Sequence, residues 1–288
     1  MIRSMTGFAR STASFDAFEL VCELRAVNHR YLDTQFRLPE DLRALETALK
    51  SRISQRINRG KVDCTVFLKR QPGAIRATAI DASTLDALRE ASDKVAAALP
   101  GLAAPSTLDV LRWPGVLNET EVDTDALREA VTALLDEALN ALDEMRHREG
   151  ERLATLLHER LHAIDAIATS VRARRPDVVA AATARVRDRI ESLATDAEPS
   201  RLATEVALLA QKLDVDEELD RLASHVAEIT ATLARNEPVG RRLDFLMQEL
   251  NREANTLASK SADSETTKQA VELKVLIEQM REQIQNIE

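Results

Sequence analysis

One stretch of the chain carries an unusual density of side chains able to bind cations and phosphates. It reads Gly240-Arg-Arg-Leu-Asp-Phe-Leu-Met-Gln-Glu-Leu-Asn-Arg-Glu-Ala-Asn-Thr-Leu-Ala-Ser-Lys-Ser261. Leu243, Leu246, Leu250, Ala254 and Leu257 recur at the 3–4 spacing of an amphipathic helix. The opposite face is not a plain solvated surface. Asp244, Gln248, Arg252, Asn255 and Ser259 form one row, and Glu249, Glu253, Thr256 and Lys260 form the next. Asn251, Asn255 and Thr256 are mediocre helix formers where an idle face favours Glu, Lys and Ala. Carboxylates beside amides and cations can hold a hard divalent cation together with a phosphate. A salt-bridge and amide network between helices uses the same residue types, so type alone leaves both readings open.

A second acidic row precedes the first. Glu217, Arg221 and His225 repeat at i+4, with Asp214 and Glu218 alongside. Such a row is ordinarily a surface ion-pair ladder. A carboxylate and an imidazole on one helix face are also suitable metal ligands or a general base. A third feature is the polar corner Arg25-Ala-Val-Asn-His-Arg-Tyr-Leu-Asp33, where His29 lies between Asn28 and Arg30. It suits a phosphate contact or a general base, although a corner histidine is more often bonded locally. Arg59-Gly60-Lys61 can join Arg3, Arg10 and Arg25 in a basic patch. GxSxG, GxGxxG and GxxxxGK[ST] do not occur, which removes the common serine-hydrolase and phosphate-loop chemistries.

These residues need elements to hold them. Near the amino end, Phe18–Leu24, Leu32–Leu38 and Val62–Leu68 alternate with period two and predict strands of a small antiparallel sheet. Leu42, Leu45, Leu49, Ile53 and Ile57 predict a helix between the second and third, bounded by Pro39 and Gly60. Cys22 and Cys64 fall on apolar strand positions and read as buried thiols. Beyond residue 82 the pattern is helical. Residues 83–99 form one helix, Asp123 to about Arg174 a very long one or two nearly collinear ones, and Pro176, Pro199 and Pro238 punctuate three more. The fold class is α+β: an N-terminal domain over 1–117, a helical arm over 118–200 and a C-terminal helical domain over 201–288.

Only 7 glycines and 8 prolines among 288 residues agree with long helices, and 3% aromatics excludes a protein built mainly of base-stacking platforms. Apolar seams at 219–233 and 273–287 keep heptad-like spacing. They predict helix packing, and the seams of long thin helices suggest contacts between subunits too. The net charge of −9 is unevenly spread: residues 1–76 carry 14 Lys and Arg against 8 Asp and Glu, the rest 25 against 40. A basic first quarter is compatible with phosphate binding. Without a signal-like segment or a membrane-length apolar run, the expectation is a cytoplasmic protein.

The opening Met-Ile-Arg-Ser-Met-Thr-Gly-Phe, the Val27-Asn-His-Arg-Tyr-Leu-Asp corner and Arg59-Gly-Lys-Val resemble the amino-terminal domain of the YicC family. The segment from Gly240 through Asn-Arg-Glu-Ala-Asn-Thr and the ending Arg281-Glu-Gln-Ile-Gln-Asn-Ile-Glu288 resemble its carboxy-terminal signature. Ala258 stands where glycine is the commoner residue. The resemblance implies an endoribonuclease of bacterial RNA turnover, metal-dependent in at least some members. It also implies a homo-oligomeric ring, a hexamer, closing around RNA, with other RNA-decay proteins as further partners.

The residues themselves then suggest the chemistry. Asp244, Glu249 and Glu253, with Glu217 or Glu218, would ligate Mg²⁺ or Mn²⁺, and His225 or His29 would serve as general acid or base. Arg25, Asn28, Arg30, Lys61, Arg241, Arg242 and Arg252 would hold the RNA backbone. A non-catalytic RNA-binding adaptor, delivering transcripts to another nuclease, is the alternative.

Overall fold

The alternating segments at the amino end assemble into one sheet. A computed structural model describes residues 2–71, 78–99, 101–119, 123–193, 199–235 and 237–288. Strands β1 (Gly7–Phe15), β2 (Phe18–Val27), β3 (Leu32–Arg37) and β4 (Gly60–Arg70) lie in the order β1-β2-β4-β3. β1 and β4 both pair antiparallel to β2, whereas β3 runs parallel to β4. The sheet is therefore mixed rather than antiparallel. Its cause is the intervening helical segment, a 3-10 turn at Glu40–Leu45 followed by α1 (Glu46–Arg56), which carries the chain back as a crossover. β1 has weak alternation because its inward positions Ala9, Ser11 and Ala13 are small.

Leu20, Cys22 and Leu24 from β2 and Val62, Cys64 and Val66 from β4 are buried with Leu42, Leu49 and Ile53 of the crossover. Both cysteines are free and buried, as expected. A hydrogen bond with Cys22, then burial, pushes the Cys64 thiol far above its ordinary range, so it is inert. Beyond the sheet, α2 (Ala82–Ala98) and α3 (Thr107–Leu111) flank a short ribbon of β5 (Thr78–Ile80) and β6 (Leu117–Glu119), two strands the sequence reading missed. Neither α2 nor α3 buries a residue, and Leu108 and Trp113 stay exposed.

The next helix, α4 (Thr124–Leu193), has 70 residues and is about 105 Å long. It runs through Pro176, where a break was expected. Pro176 and Arg172 are both exposed, so water can solvate the carbonyl that loses its intrahelical donor. The helix is no free arm. Leu127–Leu142 close the sheet's core, and Leu153–Val171 belong to a second core. That second core is completed by α6 (Asp216–Leu233), α7 (Gly240–Lys260) and α8 (Ser264–Ile284), and α5 (Pro199–Lys212) also packs on α4. Leu219, Leu222, Ile229 and Leu233 of α6 and Leu273, Ile277, Met280 and Ile284 of α8 all lie in this core, each helix packed against α4 and α7. The two seams are used inside the chain, which corrects the expectation that they join subunits. Among the described residues no helix is long and apolar enough to cross a membrane.

The two ends of the chain are stitched together. Met5 N donates to Asn286 O at 2.7 Å and Glu288 N to Arg3 O at 2.9 Å, with a bridge between Ser4 and Ile287. A Cβ on Gly150 of α4 would sit 2.2 Å from the Ile2 carbonyl oxygen, so only glycine allows the strand this close. The terminal motifs that carry the family resemblance thus serve one structural junction.

The start of α8 offers a pH test. Asp263 caps it, accepting from Glu265 N and Thr266 N at 3.2 Å. Burial opposes the charged form, but bonds from Thr266 and the Arg174 guanidinium outweigh it and hold the carboxyl below its usual range. A lowered folded-state pKa gives stability above pH about 4, the unfolded value, and loses it as pH falls through the lower folded value. Asp263→Ala is expected to cost about 1 kcal/mol in urea unfolding at pH 7, with the difference from the parent shrinking at acid pH.

Candidate metal and phosphate site

Helices α6 and α7 pack through leucines, and the polar residues beside those leucines meet at the seam. His225 follows Leu222 by three positions, while Glu249 and Glu253 lie one before and three after Leu250. One ring nitrogen of His225 and one carboxylate oxygen from each glutamate lie within 4.8 Å of one another. The Glu253 side chain is 3% exposed and that of Glu249 27%. The buried His225 Nδ1 has no hydrogen-bond partner among the described residues. A buried imidazole nitrogen left without a partner, next to two carboxylates, fits a divalent cation better than a finished hydrogen-bond network.

Arginines flank the three donors. The Arg221 guanidinium lies 3.5 Å from Glu253 Oε1 and also donates to Glu217 Oε1 at 2.5 Å. Arg252 approaches Glu249 Oε2 at 4.0 Å and is 71% exposed. An anion arriving at the cluster therefore meets two guanidinium groups. Arg221 was visible in the sequence as a member of the Glu217–His225 ladder, but its reach to Glu253 crosses helices and is not legible from spacing.

Other predicted ligands go elsewhere. Asp244 accepts from Gln248 Nε2 at 3.1 Å and faces Arg281 of α8 at 3.7 Å. Glu217 is occupied by Arg221, and the nearly buried Glu218 takes the Lys260 ammonium at 2.8 Å. These three carboxylates serve ion pairs outside the cluster. His225, expected as an acid or base, sits among the candidate ligands instead.

The N-terminal corner is not part of this cluster. His29 Nδ1 lies 2.9 Å from the carbonyl oxygen of Tyr31, a local bond. Asn28 Nδ2 donates to Gln285 O at 2.7 Å, so this side chain fastens the corner to the end of α8. Arg30 covers the Tyr31 ring at 5.2 Å and both are exposed. Arg25 lines a depression with Glu23, Arg37 and Asp63 on the sheet's outer face. Lys61 pairs with Val27 and Asp33 in register on that sheet. The expected basic patch is partly neutralised: Arg3 faces Asp143 at 3.8 Å and Arg10 faces Glu23 at 3.7 Å. On α7, Arg242 pairs with Glu228, whereas Arg241 is exposed and makes no ion pair among the described residues.

Comparison with known proteins covers the same ground from outside. Residues 2–155 match the family model described as "Endoribonuclease YicC-like, N-terminal region", and residues 171–288 match "Endoribonuclease YicC-like, C-terminal". The chain is 43% identical over 296 residues to a "Probable endoribonuclease YicC" of Haemophilus influenzae, with all of both chains covered. It is 32% identical over 297 residues to a protein of the same name from Clostridioides difficile, again over the full length of both.

Proposed function

The chain belongs to the YicC-like endoribonuclease family, and on that premise we propose that it cleaves RNA phosphodiester bonds with a divalent cation held by His225, Glu249 and Glu253. The observation that carries this reading is the convergence of one imidazole and two carboxylates, on a histidine whose buried Nδ1 has no hydrogen-bond partner among the described residues. An imidazole among the donors favours Mn²⁺ over Mg²⁺, which prefers oxygen. When bound, such an ion activates water and offsets charge on the phosphate.

The chain's own residues do the rest. Buried Glu253 is held in place by Arg221 and keeps its carboxylate aimed at the cluster. Glu249, nearer to solvent, can take a proton from the attacking water at its free oxygen. Arg221 and Arg252 hold the scissile phosphate, and Arg241 a neighbouring one. Recognition through backbone charge implies strand shape rather than base sequence as the selected feature. The protein acts as a cytoplasmic homo-oligomer, a ring around RNA. The absence of any buried residue in α2 and α3, with Leu108 and Trp113 exposed, supports this, because a lone chain rarely leaves so many apolar residues uncovered.

Homogeneous protein with Mn²⁺ should cut a labelled RNA to ends free of 2′,3′-cyclic phosphate, and EDTA should stop the reaction. Cutting that persists in EDTA and leaves cyclic ends would instead mean attack by the RNA's own 2′-hydroxyl.

A further inference from the structure

The row that supplies Glu249 and Glu253 continues toward solvent. Arg241, Phe245, Glu249 and Glu253 follow one another at four-residue steps along α7. Each step rotates the row by about 40° and advances it by about 6 Å. The row therefore winds from the exposed Arg241 through Phe245, 57% exposed, to Glu249 and the buried Glu253. An exposed phenylalanine here forgoes the stabilisation of burial. Its neighbours on the helix surface are Arg241, Arg242, Asp244, Gln248 and Glu249, which are all polar. An apolar protein partner would have to cover those charges along with the ring. A nucleotide would not, since its base offers a π face and its phosphates offer charge to the arginines.

We propose that Phe245 is a positioning residue on which the base next to the scissile phosphate of a single-stranded RNA stacks, while Arg241 takes the phosphate two steps along. This rests on reading the His225–Glu249–Glu253 cluster as the cleavage site. The 6 Å step is close to the spacing of successive phosphates in an extended strand. A strand whose scissile phosphate lies at the cluster would thus run along α7 toward its amino end. That end adjoins the N-terminal corner. A Cβ on Gly240 would lie 2.8 Å from the Ile287 carbonyl oxygen, and Asn28 is bonded to Gln285. Arg30 and Tyr31 stand exposed at the same corner, able to receive the strand further along.

The test measures binding of a short labelled oligouridylate by anisotropy in EDTA, so that neither metal nor cleavage is required. Phe245→Leu keeps the apolar bulk and removes the ring, and should weaken binding roughly tenfold without altering the salt slope. Phe245→Tyr and Phe245→Trp should stay near the parent. Arg241→Ala should lower the salt slope by about 0.7. Light scattering should give the same mass for all variants. Equal affinity of the Leu variant and the parent would overturn the proposal. So would a Leu variant that changes oligomeric mass, because the ring would then be a subunit contact. Ring-dependent binding by a protein that fails to cut RNA with Mn²⁺ would keep the stacking subsite and remove the cleavage reading. Metal-dependent cutting indifferent to the ring would do the reverse.

Discussion

Glu249→Gln is expected to lower RNA cleavage by several orders of magnitude while leaving the fold and RNA binding in place. Gln and Glu have similar helix propensities, and residue 249 lies on a helix held by Leu246, Leu250 and Leu257, so α7 should persist. The amide keeps the shape but loses the charge that ligation and proton acceptance need. A charge-stabilising ion contributes several kcal/mol in reactions of this class. Arg252 would be released from Glu249, so affinity for RNA should stay level or rise. Single-turnover cleavage and anisotropy on the same preparation check both halves. A variant that cuts at the parent's rate would return the cluster to the status of a structural network.

A second large effect is expected far from the cluster. Arg146 of α4 is 2% exposed, pairs with the Glu288 carboxylate and donates to the Ser4 carbonyl at 2.7 Å. Its other acidic neighbour, Asp143, stands at 3.9 Å. Glu288→Ala leaves a buried guanidinium without its close counter-charge, and unfolding free energy should fall by about 3–5 kcal/mol. Adding Arg146→Met removes the uncompensated charge and should restore part of that loss. Urea unfolding midpoints test it, and an unchanged midpoint in Glu288→Ala would contradict the junction's assigned role.

How far such features can be read in a sequence depends on whether they are local. The apolar stripes of α6, α7 and α8 follow from a 3.6-residue period and face the core as that period requires, with only Val226 of the α6 stripe partly buried. Glu249 and Glu253 were legible as one row for the same reason. Asp244 was grouped with them although it lies five residues from Glu249, about 140° around the helix. That rotation turns it toward Arg281 of α8 while the glutamates face α6. His225 could be seen on its own helix face, but its meeting with α7 depends on how two helices pack. Gly150 could not be understood locally at all. A lone glycine in a long helix resembles a weak point until the Ile2 carbonyl is found against it. The parallel pairing of β3 with β4 was likewise hidden, since alternation reports which face is buried and not which way a strand runs.

The central claim is that the His225 imidazole, Glu249 and Glu253 hold one divalent cation. Electron spin-echo spectroscopy of the full-length protein loaded with stoichiometric Mn²⁺ tests this most directly, through the coupling of a ligating imidazole nitrogen to the ion. The account predicts that coupling in the parent, its loss in His225→Gln, and its persistence in His29→Gln, whose ring is tied to Tyr31. Bound Mn²⁺ without nitrogen coupling, or coupling that survives in His225→Gln, would contradict it.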